Sequence, residues 1–320
     1  MKSILRLVSA AAAALLMSQV ANTAQAKGLN DYEYQFVKFI WDLEFEKANF
    51  YVTQGLVDPH NLSSGKELPY YFFGPGTLTS SRCRAPSAVE PSMGHCMPHQ
   101  DITHFLISGG FDLNKPVSGK ARPLKYVCWG NALGVNNTRI LVTEEHVEAE
   151  FYDDVGFTPL QYCAWRGTRG EMGSEESNNY MLVLATLISG GADINSRLKI
   201  EQPIAPYSDT PINPGATPVM LSLLGWYKVN PDYQAQDIFF VLGADPKAED
   251  DMGAGIVNYL IYPDRDYMYE PVLKMLKQLH DRGVDIMHPR PKDGKTFVDL
   301  AMQQGDVEFA MQIMAIAKGQ

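Results

Sequence analysis

Asp154-Val155-Gly156-Phe157-Thr158-Pro159-Leu160-Gln161-Tyr162-Cys163-Ala164, followed by an apolar run that ends in Gly191-Ala192-Asp193-Ile194-Asn195, is the stretch against which the rest of the chain is read. Thr158 is suited to cap a helix N-terminus, and Pro159 to take its first position, where a missing N–H costs nothing. Gly191 is suited to the left-handed conformation that closes a helix. The stretch therefore predicts a pair of helices bounded by a turn on each side.

Its elements recur along the chain. Asp101 to Ser108 reads as a helix, and the Gly109-Gly110-Phe111-Asp112-Leu113-Asn114 that follows it nearly repeats residues 190–195. Arg122-Pro123-Leu124 opens a unit 36 residues before its counterpart at Thr158. Further units open at Gly215-Ala216-Thr217-Pro218-Val219, at Gly253-Ala254-Gly255-Ile256-Val257 and at Gly294-Lys295-Thr296-Phe297-Val298. The first two of these close at Leu242-Gly243-Ala244-Asp245-Pro246 and at Arg282-Gly283-Val284-Asp285-Ile286, and the last ends in a helix from Asp306 to Ala317. Near the start, Tyr32 to Tyr51 has helical spacing broken around Trp41-Asp42-Leu43-Glu44, which predicts a helix pair with Phe45 to Thr53 as its second member.

These motifs resemble the ankyrin repeat, whose unit is about 33 residues long. The resemblance covers most of residues 31–317. It implies an all-α fold, a solenoid of about seven helix-turn-helix units over residues 27–320, interrupted by long insertions at 60–97 and 196–214. Gly74-Pro75-Gly76, Pro86 and Pro91 leave no room for a long helix in the first insertion, and Pro203, Pro206, Pro211 and Pro214 break the second. Departures from the family pattern concentrate at 31–59 and 119–153, where Arg122 replaces the expected Thr and Lys125 the expected His. Within the latter segment, Val147-Glu148-Ala149-Glu150-Phe151 suits a strand as well as a helix.

Residues 1–26 carry Lys2 and Arg6, an apolar core from Leu7 to Met17, and Ala24-Gln25-Ala26, the pattern of a cleavable export signal. Cleavage after Ala26 leaves a chain of about 294 residues and predicts a periplasmic protein. The core is shorter than the roughly 20 apolar residues of a membrane anchor. Losing the two basic residues of the leader takes the formal net charge from −10 to −12. That acidity argues against nucleic acid and against anionic membrane as partners, and it suits a basic protein. The oligomeric state is not legible.

Ankyrin repeats bind proteins, and the resemblance implies a specific protein partner on the concave face of the first helices. Exported bacterial members of this type look like candidates for immunity proteins or inhibitors against a toxin, or for accessory partners of stress enzymes. In the family pattern the residues after the paired small positions face the partner. Here those are Trp165 and Arg166 after Cys163-Ala164, and Trp129 after Val127-Cys128, with Phe157 at another contact position. Trp and Arg dominate binding hot spots. The competing reading is that the insertions of the same chain cover both tryptophans. At the rim stand Tyr70, Tyr71, Phe72 and Phe73, which either fold back on the repeats or serve as contact surface. Glu144, Glu145, Glu148, Glu150, Asp153 and Asp154 join them there as either a solvated face or a surface for a basic partner.

Cys83 and Cys96 lie in the first insertion and are expected to form a disulfide, closing a short loop in an exported chain. The same region, with Met93, His95, Met97, His99 and His104, supplies ligands suited to copper or zinc, which makes a metal or redox protein centred on Cys83–His104 the rival function. Its spacing matches no known metal motif, and neither a metal nor another cofactor is expected. Cys128 and Cys163 take small-residue positions in adjacent repeats and are expected to be buried thiols, because helices ~8–10 Å apart exceed the usual span of a disulfide. No nucleophile elbow, phosphate loop or His-Glu-x-x-His helix occurs, so an enzyme is not expected.

Overall fold

The computed structural model describes residues 28–73, 98–127, 132–166, 175–204, 211–225, 234–260 and 269–319. The leader, Cys83, Cys96, His95, Cys128 and Trp129 lie outside the described residues. The described residues are mostly helical and contain no strand, only isolated bridges such as Ile204 with Ile212. Among them, no helix is long and apolar enough to cross a membrane. The chain divides into two compact units, one ending at Phe111 and the other starting at Asp112.

The first unit holds α1 (Asp31–Trp41), α2 (Phe45–Thr53), α3 (Tyr70–Phe73) and α4 (Gln100–Ser108). The Asn30 side chain accepts the N–H groups of Tyr32 and Glu33, and Glu33 accepts that of Asn30, so α1 starts with a reciprocal cap. Phe36, Val37 and Ile40 fall on one face of α1 and are fully buried, as are Leu68, Ile102 and Leu106. The aromatic run of α3 is part of this core. Tyr71, Phe72 and Phe73 are buried, and Phe72 lies 5.2 Å from Trp41 between ring centroids. The break at residues 42–44 and the second helix at 45–53 fall where the spacing places them.

The second unit is built of successive pairs. They are a 3₁₀ turn (Pro123–Val127) with α5 (Ala132–Arg139), α6 (Pro159–Arg166) with α7 (Glu175–Ser189), and α8 (Pro218–Gly225) with α9 (Gln234–Val241). A second 3₁₀ turn (Ile256–Tyr259) with α10 (Tyr269–Asp281), and α11 (Phe297–Gln304) with α12 (Val307–Ala317), complete it. First members pack on first members, from the turn at 123–127 through α6 and α8 to the turn at 256–259. Second members likewise pack α5 on α7, α7 on α9 and α10 on α12.

One kind of turn recurs at the ends of these pairs. After the second helices, Asp112, Asp193, Asp245 and Asp285 each accept the N–H two residues on, at 2.8–2.9 Å. Such local carboxylate bonds stabilise a turn in place of further helix. Gly191 takes the left-handed conformation at φ 99°, which a side chain would strain.

In the segment whose periodicity fits two structures, the chain adopts neither. α5 runs into a π turn at Ile140–Glu144, and residues 147–151 are irregular, with a bend at Ala149. Val147, Ala149 and Phe151 are buried while Glu148 is exposed, so the alternation sets burial alone.

Candidate protein-binding surface

The site grows from the turn at 153–158. Asp153 is buried, and its Oδ1 accepts the N–H groups of Val155, Gly156 and Phe157 at 2.8–2.9 Å. Its Oδ2 accepts from the ammonium of Lys125. Thr158 Oγ1 accepts the N–H of Gln161, and Gln161 Oε1 accepts that of Thr158, so α6 begins with a capping box. Gln161 Nε2 donates to the Ser196 carbonyl at 3.0 Å and thereby ties this turn to the next.

With the cap set, Phe157 precedes it and Tyr162 follows in the first turn, the arrangement of a hydrophobic staple. Their rings meet edge-on at 6.4 Å. Trp165, one turn further along α6, lies 6.2 Å from Tyr162 and 5.6 Å from Phe157. The Lys125 ammonium sits 4.8 Å from the centre of the Tyr162 ring, within cation–π range. Tyr162 and Trp165 are both partly exposed. The result is an aromatic patch with a fixed cation beside it.

Phe157 is corrected as a contact residue. Only 4% of its surface is exposed, so it supports Trp165 and does not present itself. Of Arg166 only the backbone, at the end of α6, is described, and Trp129 is outside the described residues. Tyr162 and Lys125 are members of the cluster that the sequence reading did not select. The signal for Tyr162 was present, since residues three apart on a helix share a face.

Three of the four aromatics assigned to the rim are also corrected. Tyr71, Phe72 and Phe73 are core residues of the first unit, which is the folded-back alternative, and only Tyr70 keeps part of its surface. The acidic segment is largely engaged within the chain. Glu148 pairs with Arg122 at 2.6 Å and Glu144 with Arg139 at 3.3 Å. Asp154 accepts the N–H of Lys120, and Glu150 that of Asp193. Burial pushes the Glu150 carboxyl above its ordinary range, with the Asp193 N–H opposing the shift. Glu145 is exposed.

Cys163 is fully buried and disulfide-bonded, which corrects the expectation of a thiol at this position. His99 caps α4 through Nδ1, which accepts the N–H of Asp101, and His104 is exposed. Among the described residues, no three His, Cys, Asp or Glu side chains are placed to hold a metal ion. Compared with known proteins, the chain matches no family model and no curated relative.

Proposed function

We propose that the chain is an exported ankyrin-repeat solenoid that binds one specific protein partner, anchored on Trp165 with Arg166 and Trp129. The observation that carries this reading is the patch on α6, where Trp165 stays partly exposed on a bed of Phe157 and Tyr162 beside Lys125. An aromatic held rigid by its neighbours loses little freedom on binding, which suits it to anchor an interface. Supporting the repeat reading are the row-on-row packing of the second unit and its recurrent aspartate turns. In favour of export are the leader pattern and the disulfide at Cys163, a bond at home in an oxidising compartment. Among partners, a basic toxin or a stress enzyme of the same compartment fits the acidity of the chain.

A photo-crosslinking residue placed at Trp165, with a control at the 52%-exposed Leu182 of α7, tests the surface directly. The same periplasmic protein should be captured from position 165 and not from 182. Trp165→Ala should then weaken that complex about thirtyfold while the melting temperature stays within a few degrees, since a truncated anchor costs about 2 kcal/mol of binding. Unfolding by this substitution with unchanged residual binding would place Trp165 in the core and move the interface elsewhere.

A further inference from the structure

A cavity of about 250 Å³ opens in the second unit, between the base of the 196–214 insertion, the turn at 250–255 and the loop at 288–292. Pro203, Pro211, Pro291, Met252 and the ring of Tyr259 form its walls. Behind the lining, a buried carboxylate fixes four of the lining residues in place. Asp250 Oδ1 accepts the N–H groups of Met252 and Ala254 at 2.8 and 2.9 Å, while Oδ2 accepts from Asn213 Nδ2 and from the Tyr259 hydroxyl, both at 2.7 Å. A cavity walled by prolines and locked by a satisfied network is formed before any ligand arrives, which is where small ligands bind with least ordering cost.

Its chemistry is asymmetric. The described lining residues include Arg290 and Lys292 but no acid, in a chain whose formal net charge is −10. Arg290 turns Nε and Nη2 toward Asp293, and its Nη1 has no partner among the described residues. An apolar cavity of about 150 Å³ accepts benzene, so this one has room for a ring with a short acidic arm. We propose that the cavity binds an aromatic or branched apolar group carrying a carboxylate, with the apolar body between the prolines, Met252 and Tyr259 and the carboxylate on Arg290 beside Lys292. Both a free aromatic acid and the C-terminal residue of a polypeptide present that chemistry. The site is separate from the Trp165 surface and does not rest on it.

The test follows the methyl resonance of Met252, 54% exposed at the cavity, in the full mature chain with 13C-labelled methionine, assigned through Met252→Leu. 3-Phenylpropionate should shift it and bind at least tenfold tighter than the neutral 3-phenylpropanol. Arg290→Gln should reduce that preference to under threefold, Met252→Trp should block both probes, and Trp165→Ala should change neither. A hexapeptide ending in Phe identifies the source. Tighter binding than phenylpropionate, lost on amidation, points to a polypeptide terminus, and weaker binding points to a free acid. If neither small probe moves the resonance, or the alcohol binds as well as the acid, the proposal is wrong, and the acid–alcohol comparison needs no variant to fold.

Discussion

The turns at 153–161 and 250–258 share a frame and differ in what they do with it. In both, an aspartate precedes a left-handed glycine by three residues, accepts backbone N–H groups through Oδ1, and stands ahead of an amide side chain that closes the cap. In both, the amide nitrogen reaches the next turn, Gln161 to Ser196 and Asn258 to His288. The side chain after the glycine is Phe157 in one and Ala254 in the other. Phenylalanine lies under an aromatic patch, whereas alanine is one of the residues that line a cavity. A repeated turn thus carries different surroundings, an aromatic patch in one place and a cavity in the other.

The largest effects should come from the shared frame. Asp153→Ala removes the shared acceptor of three N–H groups and of the Lys125 ammonium, and it should cost about 3–5 kcal/mol in chemical denaturation, as breaking buried pairs does. Asp250→Ala, which strands Tyr259 and Asn213, should cost about 3 kcal/mol. A near-neutral result at either position would end the equivalence of the two turns. Phe157→Ala gives the first turn the side-chain size of the second, and a loss of about 3 kcal/mol is expected with a red shift of Trp165 emission.

Glycine substitutions separate the two turns more finely. Gly253 has φ 80° and open space where an added methyl group would stand, so Gly253→Ala should cost about 1–2 kcal/mol for backbone strain alone. Gly156 has φ 99°, and an added Cβ would stand 2.0 Å from the Lys199 carbonyl oxygen, so Gly156→Ala should cost clearly more. Equal melting shifts would mean that the 199 backbone yields freely.

A smaller effect distinguishes the cap at 296–299 from the neutral amides of the other two. Asp299 stands in the amide's position, and hydrogen bonds from the Thr296 N–H and hydroxyl hold its carboxyl below the ordinary value. A folded-state pKa below the unfolded one contributes stability that is present above the unfolded pKa and lost as pH falls through the folded one. Asp299→Asn should therefore flatten the acid limb of the stability–pH curve, while Gln161→Glu should introduce one where none came from that cap.

Much of the repeat plan was legible because capping and turn chemistry are local. Thr158-Pro159, Gly191 and Asp193 act on groups within four residues, and their positions in the structure follow from that reach. The candidate site was legible only in part. Trp165 follows from the contact positions that the ankyrin resemblance implies, but the burial of Phe157 depends on Tyr162, on Trp165 and on packing between helices. Lys125 was noticed only as a departure from pattern, since its partner Asp153 is 28 residues away. The likeness of Asp153-Asp154-Val155-Gly156 to Asp250-Asp251-Met252-Gly253 was present in the sequence and is informative only once both aspartates are seen accepting the same bonds.

By itself, then, the sequence determined helical content, where pairs begin and end, and an acidic charge, because each depends on residue type or on neighbours along the chain. Tertiary structure alone decided that Tyr71, Phe72 and Phe73 are core, that the carboxylates of 144–154 are mostly engaged, and that Pro203, Pro211, Met252, Tyr259 and Pro291 meet around a cavity. Those outcomes depend on which distant groups share a volume, and side-chain burial follows from that volume and not from spacing along the chain.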